Sequence, residues 1–208
     1  MTLSEMRTAL QDNCRDDGTY LTSARSNRFI NQGMHHVANL IASQRPHLMM
    51  TSQSVTPTGG TAGVLELLTL TLRCKSLIRG RLSTGENLQK VPANEAENHL
   101  KHVVQAQPKM TEYNSTIALL EPAASLTIVV HYVYGLTDMT ADNDTPGVVG
   151  GGGTANAIPP EYHPLITDFA TLQALSADGR DPGGWLPVYQ ARGEALGLDL
   201  RIRRRFQS

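Results

Sequence analysis

The chain has 208 residues, of which 40% are hydrophobic and 18% are charged, and its formal net charge at pH 7 is −1. This length supports one core or a core with an inserted lobe, and the composition argues against a disordered or fibrous protein. The small net charge argues against a general affinity for nucleic acid, and no stretch reaches the ~18 uninterrupted apolar residues of a membrane-spanning helix.

The first segment, MTLSEMRTALQDN, predicts a short helix. Thr2 and Glu5 have the spacing of a capping box, in which each side chain bonds the backbone of the other residue. Apolar residues follow at helical spacing until the turn-forming sequence DDG at 16–18. The segment is charged from its fifth residue and has no apolar core, so we do not expect a secretory signal.

A second, longer helix is predicted from Ser23, a residue type that caps helix N-termini, to a point before Pro46. Its apolar residues repeat every three or four positions and form one stripe. The stripe consists of Phe29, Ile30, Met34, Val37 and Ile41. We expect this stripe to be buried against the rest of the protein.

The middle of the chain is rich in β-branched and aromatic residues, which predicts strands at 64–72, 116–120 and 126–134. The last two are separated by a short link that contains Pro122, so we expect them to form an antiparallel hairpin. Between the strands, the apolar spacing of residues 94–104 predicts a short helix.

Four consecutive glycines occur in GVVGGGGTANAIPPEYHPLI, residues 147–166. A phosphate-binding loop of the nucleotidase type needs a lysine directly after its last glycine, and none follows Gly153. A dinucleotide-binding loop needs a helix that starts at the glycines, whereas several residues and a proline pair intervene here. The glycines therefore favour a flexible connector, at residues 141–157.

Two helices are predicted after the glycines. Pro159 and Pro160 open the first of them. Its broad apolar face carries Leu165, Ile166, Phe169, Leu172 and Leu175. The sequence DGRDPGG separates it from a final helix, which ends near Gly197. The final helix carries Trp185, Val188, Tyr189 and Leu196.

The order of these elements, helices then strands then helices, indicates an α+β fold. We expect residues 1–48 and 158–200 to pack as a helical bundle, with residues 49–140 inserted as an antiparallel β lobe. Residues 141–157 are the predicted connector, and residues 201–208 are a basic C-terminal arm.

Basic residues cluster in the predicted strand RCKSLIRGR. Arg73, Lys75, Arg79 and Arg81 occupy odd positions, and the two-residue period of a strand places all four on one face. Three interpretations of this face stay open: contact with a second copy or another protein, a solvated strand surface, and contact with nucleic acid phosphates. The third requires stacking aromatic residues or more charge.

Acidic residues dominate the following part of the chain. Residues 111–170 contain no Lys or Arg. The acids of this stretch are Glu112, Glu121, Asp138, Asp142, Asp144, Glu161 and Asp168. Exposed ion pairs within one subunit are worth only ~0–1 kcal/mol each. Segregated charges contribute more to association between copies, when the basic face of one copy meets the acidic surface of the next.

The C-terminal arm packs four arginines into five positions and then adds an aromatic residue. Its residues are Arg201, Ile202, Arg203, Arg204, Arg205 and Phe206. The arm is either a frayed, solubilising end or a segment that docks into an acidic groove of a partner. In the second case Ile202 and Phe206 are the apolar anchors. The alternation of arginine and apolar residues favours docking.

No pattern in the sequence indicates catalysis, a cofactor or a metal. The pairs His35–His36 and His99–His102 lack the further ligands that a metal site needs. The sequence DNDTPG at 142–147 has no glutamate at the final position of a calcium loop. No G-x-S-x-G surrounds a serine. We therefore expect a structural or interaction role rather than an enzyme.

Four stretches carry a resemblance to a known family. They are TLSEMR, NRFINQGMHHVANLI, YNSTIALLEPAASLTIVVHYVYG and IPPEYHPLITDFATLQAL. Together they resemble the head-to-tail adaptor (connector) proteins of tailed bacteriophages, over nearly the whole chain. The most telling stretch, IPPEYHPLITDFA, is similar to the pattern LP-x-x-Y-x-x-x-I at the start of the family's third helix, and Asn31 is a lesser match.

The resemblance implies a structural protein of the phage neck. Such adaptors form homo-oligomeric, normally dodecameric, rings beneath the portal protein and extend the DNA ejection channel without sequence-specific contact to the DNA. Their helical part packs against neighbouring copies, and their C-terminal arm grips the portal. The β lobe faces the tail side or the exterior of the ring, where the tail tube, nozzle or tail-fibre protein is the expected partner. The implied location is the virion neck, after assembly in the host cytoplasm and without membrane contact.

The competing hypothesis is a ligand-binding or carbohydrate-binding β module on a helical stem. The predicted β lobe is larger than that of the minimal helical adaptors, which leaves open the tail component that it contacts. An adaptor should be monomeric alone and form rings on the portal, whereas a binding module should keep a fixed small stoichiometry.

Overall fold

The computed structural model of the protein describes residues 1–58, 65–96, 109–120, 127–147 and 157–200. The chain is a mixed α/β protein with two compact units. The helical unit consists of residues 1–49 and of the chain from 136 onward, and the sheet unit consists of Met50–Gly135.

Several predicted segments fall wholly or partly outside the described residues. They are the C-terminal arm at 201–208, the central glycines at 148–156 and most of the helix predicted at 94–104. Of that helix, the described residues extend to 96, and residues 93–96 are helical.

The helical unit has four α-helices among its described residues. They are α1 (Leu3–Cys14), α2 (Ser23–Gln44), α3 (His163–Ala177) and α4 (Leu186–Ala195). Short 3₁₀ turns lie at Pro46–Met49, Pro160–Tyr162 and Pro182–Gly184. Helix α3 contacts the other three, and α1 also contacts α2. Their arrangement as a bundle stays a prediction. None of these described helices is long and apolar enough to cross a membrane.

Helix α1 begins at the predicted capping box. The backbone N–H of Thr2 donates to Glu5 Oε2 at 2.8 Å, and the N–H of Glu5 donates to Thr2 Oγ1 at 3.3 Å. These bonds satisfy N–H groups that a helix start leaves without intrahelical partners. The inner residues Leu3, Met6 and Leu10 are fully buried, which confirms the prediction.

Helix α2 is also confirmed, with a different cap. Thr22 rather than Ser23 is the capping residue, and its hydroxyl accepts from the N–H of Arg25 at 3.4 Å. All five residues of the predicted stripe are buried. Gly33 lets α2 approach α3 closely, since a Cβ at this position would lie 2.7 Å from the carbonyl oxygen of Ile166.

The sheet unit contains seven strands in one curled sheet. They are β1 (Met50–Val55), β2 (Leu65–Leu67), β3 (Cys74–Leu82), β4 (Asn87–Lys90), β5 (Lys109–Tyr113), β6 (Thr116–Leu120) and β7 (Ile128–Tyr134). Their spatial order is β1-β7-β3-β4-β5-β6-β2. The sequence predicted an antiparallel sheet, but one pair of strands is parallel. Strand β4 pairs with β5 in parallel, for example Gln89 with Lys109.

The predicted hairpin between 116–120 and 126–134 is wrong. Strand β6 pairs with β5 and β2, whereas β7 pairs with β1 and β3. The buried strand β7 needs a neighbour on each side, and distant segments of the chain supply both. The hairpin that does form joins β5 to β6 through Asn114 and Ser115, at φ +44° and +66°. Positive φ at both central residues is typical of a type I′ turn, which matches the twist of two strands.

The strand predicted at 64–72 is much shorter in the structure. Only Leu65–Leu67 belongs to β2. Leu68 and Leu72 are nevertheless buried, so the apolar composition of this stretch reflects packing outside a strand.

A side chain of each edge strand bonds the segment that follows the other edge strand. Gln53 of β1 donates to the carbonyl of Thr69 at 3.1 Å and accepts from the N–H of Thr71 at 2.8 Å. Glu66 of β2 accepts from the N–H of Thr58 at 2.7 Å. These bonds tie each edge strand to the chain that follows the other one.

The glycine stretch starts and ends within the helical unit. Gly147 and Ala157 form an antiparallel bridge, and the N–H of Ile158 donates to the carbonyl of Pro146 at 3.0 Å. The two units separate in sequence after Gly135 instead. The described ends of the predicted connector, 141–157, thus lie side by side in one unit.

Candidate interaction surfaces

The sequence predicted that side chains of the basic strand β3 alternate strictly between two faces, but the structure interrupts this alternation. Its register against β7 shifts between Cys74 and Ser76 and again between Leu77 and Arg79. Leu77, at an odd position, is consequently 2% exposed, whereas Ile78 is 43% exposed. Each shift is a bulge that inserts a residue into β3, and two bulges together restore the original alternation.

All four predicted cations are exposed despite these bulges. Arg73 precedes the strand, and Lys75 lies at the first bulge. Arg79 and Arg81 lie beyond the second bulge and alternate with buried Gly80 and Leu82. The strand therefore presents a basic face, which is defined here as Arg73, Lys75, Arg79 and Arg81.

His131, which no sequence pattern indicated, lies beside this face. His131 of β7 pairs with Arg79 of β3 on one side and with Ser52 of β1 on the other. Desolvation lowers the pKa of His131, and the positive charges of Arg79 and Arg81 lower it further. The lowered pKa favours the neutral form of His131, which adds no charge to the basic face.

The arginines of the basic face keep their charge available. Arg73 donates to Ser115 Oγ at 3.1 Å, and Arg81 donates to the carbonyl of Gly85 at 2.8 Å. Within the described ranges, Arg73, Arg79 and Arg81 form no ion pair with a carboxylate. Partial burial lowers the pKa of Lys75. This face can therefore still attract an acidic surface of another molecule.

A polar network that sequence reasoning missed holds the centre of the basic strand. Glu112 of β5 accepts from the backbone N–H of Leu77 at 2.8 Å and from Lys90 Nζ at 2.6 Å. Lys90 also donates to the carbonyl of Leu77 at 3.0 Å. Both backbone groups of a residue between the bulges are thus satisfied by side chains. The three residues lie on different strands, so no local pattern could have indicated this network.

Several acids of the stretch 111–170 are bound within the chain. Asp142 pairs with Arg7, Asp138 lies 2.7 Å from His35, and Asp144 accepts from backbone N–H groups of its own turn. The side chains of Asp138 and Asp142 remain 63% and 78% exposed. Asp138 and Asp142 therefore still present acidic surface on the helical unit despite these contacts.

The acids do not form one continuous surface. Asp168 is 2% exposed, and its carboxylate lies 2.7 Å from Arg192, which ties α3 to α4. Desolvation raises the pKa of Asp168 even though Arg192 opposes this. Glu112 belongs to the sheet unit, and Glu121 lies outside the described residues.

The residues behind the sequence resemblance organise the helical unit. The Asn31 side chain donates to the carbonyl of Met139 at 3.0 Å and accepts from its N–H at 2.9 Å. Tyr162 is buried, and its hydroxyl accepts from Arg45 at 3.2 Å. Asn31 and Tyr162 thus fix the segments that precede α3, which gives both residues a structural role.

The described residues contain no group of three or more His, Cys, Asp or Glu side chains placed to hold a metal. The sequence model of the family described as SU10 adaptor protein matches residues 1–208. No curated protein matches the chain.

Proposed function

The chain belongs to the SU10 adaptor protein family, and we propose that it forms a ring beneath the portal, extends the DNA channel and offers a docking site to tail components. Family membership makes it a phage adaptor, a structural component of the virion that assembles with other head and tail proteins. The dodecameric ring, the portal contact and the tail contact belong to the proposal.

The observation that carries the ring proposal is exposed charge of opposite sign on the two units. The sheet unit bears arginines that no carboxylate neutralises among the described residues. On the helical unit, the side chains of Asp138 and Asp142 stay largely exposed although they contact His35 and Arg7. Two different surfaces that complement each other generate a head-to-tail contact, and such contacts form a ring when the rotation between copies closes. A long row of charges also fixes the register between neighbours.

The arm at 201–208 is the proposed portal contact. Arginine forks bind carboxylates in a bidentate manner, and Ile202 and Phe206 supply apolar anchors. Fixing the arm on the portal has an entropic cost that the new contacts must exceed. We expect removal of residues 201–208 to abolish portal binding, which a pull-down on purified portal measures directly.

Substitution of a basic-face arginine tests the ring contact. Arg79→Glu reverses a charge that has no partner in the described part of the chain, so it leaves the fold intact and weakens ring assembly on the portal by about tenfold, or ~1.4 kcal/mol. Arg28→Glu, at another exposed arginine on α2, is the matched control and leaves assembly unchanged. Equal assembly of both variants would contradict the ring contact. A fixed small oligomer that ignores the portal would favour the binding-module hypothesis.

A further inference from the structure

An open apolar groove lies in the helical unit. It has a volume of about 900 Å³ and lies between α2, α3 and the turn before α4. Its apolar lining includes Phe29, Phe169, Leu172, Ala177, Pro182 and Leu186. The wall is held in place, since the His36 ring stacks on Phe169 at 3.9 Å and bonds the Tyr189 hydroxyl at 2.9 Å.

Polar side chains interrupt this apolar lining, among them Gln173 and Asp181. Gln173 Oε1 is buried and accepts no hydrogen bond from the described residues. Asp181 lies at the rim, exposed, and one of its oxygens accepts from the N–H of Gly183 at 2.8 Å. A buried acceptor without a donor is destabilising. The groove therefore suits a segment that combines apolar side chains with cationic donors.

The C-terminal arm has this chemistry. Arginine covers apolar surface with its stem and donates from its guanidinium, and the arm alternates arginines with Ile202 and Phe206. We propose that the groove is the docking site for residues 201–208 of a second copy of this chain. The inference rests on the proposed function, in which the arm is a docking element and a second copy is a ring neighbour, and the portal then competes with the groove for the arm.

The position of Leu200 favours the arm of a second copy over the chain's own. Leu200 is buried against Gly193 of α4, and the backbone of Asp199 bonds Gln44 at the end of α2. From Gln44, the groove residues of α2 lie ~12–22 Å back along the helix at 1.5 Å per residue. Eight extended residues span at most ~26–29 Å. Phe206 is far enough along the arm to reach the groove of its own chain, but Ile202 lies only two residues beyond Leu200 and reaches at most ~7 Å. The chain's own arm therefore cannot place both anchors in the groove.

Complementation between two full-length variants tests the proposal. Leu172→Lys places a cation in the groove but keeps the arm, whereas the double variant Ile202→Ser/Phe206→Ser keeps the groove but removes the anchors. This proposal departs from the expectation that the chain is monomeric alone, since it requires wild-type chains to self-associate in sedimentation velocity. Each variant alone should associate about tenfold more weakly, or ~1.4 kcal/mol. An equimolar mixture of the two variants regains one-to-one association, because one contributes the arm and the other the groove.

Leu40→Lys is the matched control, since Leu40 is a half-buried leucine of α2 outside the groove. It should self-associate like the wild type. Leu172→Ala provides a milder groove variant, and thermal melts by circular dichroism confirm that each variant folds. Monomeric wild type, equal weakening by Leu40→Lys, or no complementation in the mixture would each overturn the proposal.

A labelled peptide of sequence RIRRRFQS separates this inference from portal docking. It should bind the arm variant and fail to bind the same variant carrying Leu172→Lys. If the peptide does not bind and the arm variant no longer binds the portal, the groove proposal is wrong but portal docking by the arm is supported. If the peptide binds and the arm variant still binds the portal, portal docking by the arm is wrong but the groove proposal is supported.

Discussion

At the scale of single residues, Glu112 shows how one carboxylate supports an irregular strand. Burial raises the pKa of Glu112, but the hydrogen bonds from Lys90 and from the backbone of Leu77 outweigh it, and the pKa is lowered overall. Glu112→Ala leaves the N–H of buried Leu77 without its acceptor. We expect the free energy of unfolding to fall by about 1–2 kcal/mol, as measured by urea denaturation.

The pH dependence of this effect has a definite sign. Because the pKa of Glu112 in the folded state lies below its ordinary value of 4.5, the stabilisation is complete above that value and disappears as the pH falls through the lowered pKa. Glu112→Gln keeps an acceptor for Leu77 but carries no charge, so the difference in stability between wild type and Glu112→Gln should shrink below pH 4.5. A difference that stays constant down to pH 3 would contradict this role.

The two cysteines give a second prediction at the residue scale. Both are free and buried, and desolvation raises the pKa of Cys14 and of Cys74 to about 11. The thiolate is the reactive form, so both thiols should be inert in the folded protein at pH 8. We expect Ellman's reagent to label neither cysteine in buffer and both in denaturing urea. Immediate labelling of the native protein would show that burial does not protect these thiols.

Burial of individual residues was predictable where a local period dictated it. The stripe of α2 lies within one continuous helix, so its spacing alone determined which side chains face inward. The contacts of Glu112 with Lys90 and of Gln53 with Thr69 join different parts of the chain. Their partners become neighbours only after the strands have paired, and local patterns cannot specify them.

At the scale of elements, the Asp168–Arg192 pair joins α3 to α4. Arg192→Ala leaves a buried carboxylate without its cation, which costs about 3–5 kcal/mol of unfolding free energy. The protonated form of Asp168 is already favoured by burial, which raises its pKa. The deficit of Arg192→Ala should therefore decrease as the pH falls toward 4, when the carboxyl group becomes neutral. A deficit that grows toward low pH, seen in urea denaturation, would contradict this assignment.

The contact between α2 and α3 yields a prediction about glycine. Gly33→Ala places a methyl group 2.7 Å from the backbone oxygen of Ile166, so the two helices must separate. We expect a loss of about 1–3 kcal/mol, more than alanine gains in helix propensity. Gly184→Ala is the control, since a Cβ there meets nothing within 4 Å. Equal melting temperatures for the two variants would show that the helices have room to adjust.

The helices were more predictable than the strand partners. Caps and breakers such as Thr2, Pro46 and Gly197 act within a few residues of the helix ends that they set. Strand pairing is non-local, and for this reason the expected partner of β7 was wrong. The bulges of β3 also had no signal in the sequence. The backbone of Leu77, between them, bonds the side chains of Lys90 and Glu112, which lie on other strands.

At the scale of the whole molecule, charge patterning identified the candidate surface but not its detail. The odd-numbered cations of β3 are exposed as expected, whereas the strict alternation failed at Leu77. Some acids of the stretch 111–170 form ion pairs within the chain, for example Asp168 with Arg192. Such pairs are set by tertiary packing, so counting charges along the sequence overestimated the acidic surface that is free to meet a partner.

We propose that copies of this chain form a ring on the portal through unlike charged surfaces. Cryo-electron microscopy of the full-length chain bound to purified portal would show whether they do. We expect a closed ring in which Arg79 and Arg81 of each copy face acidic side chains of its neighbour. A complex without a ring, or a ring in which this basic face points only into solvent, would rule out assembly through these charges.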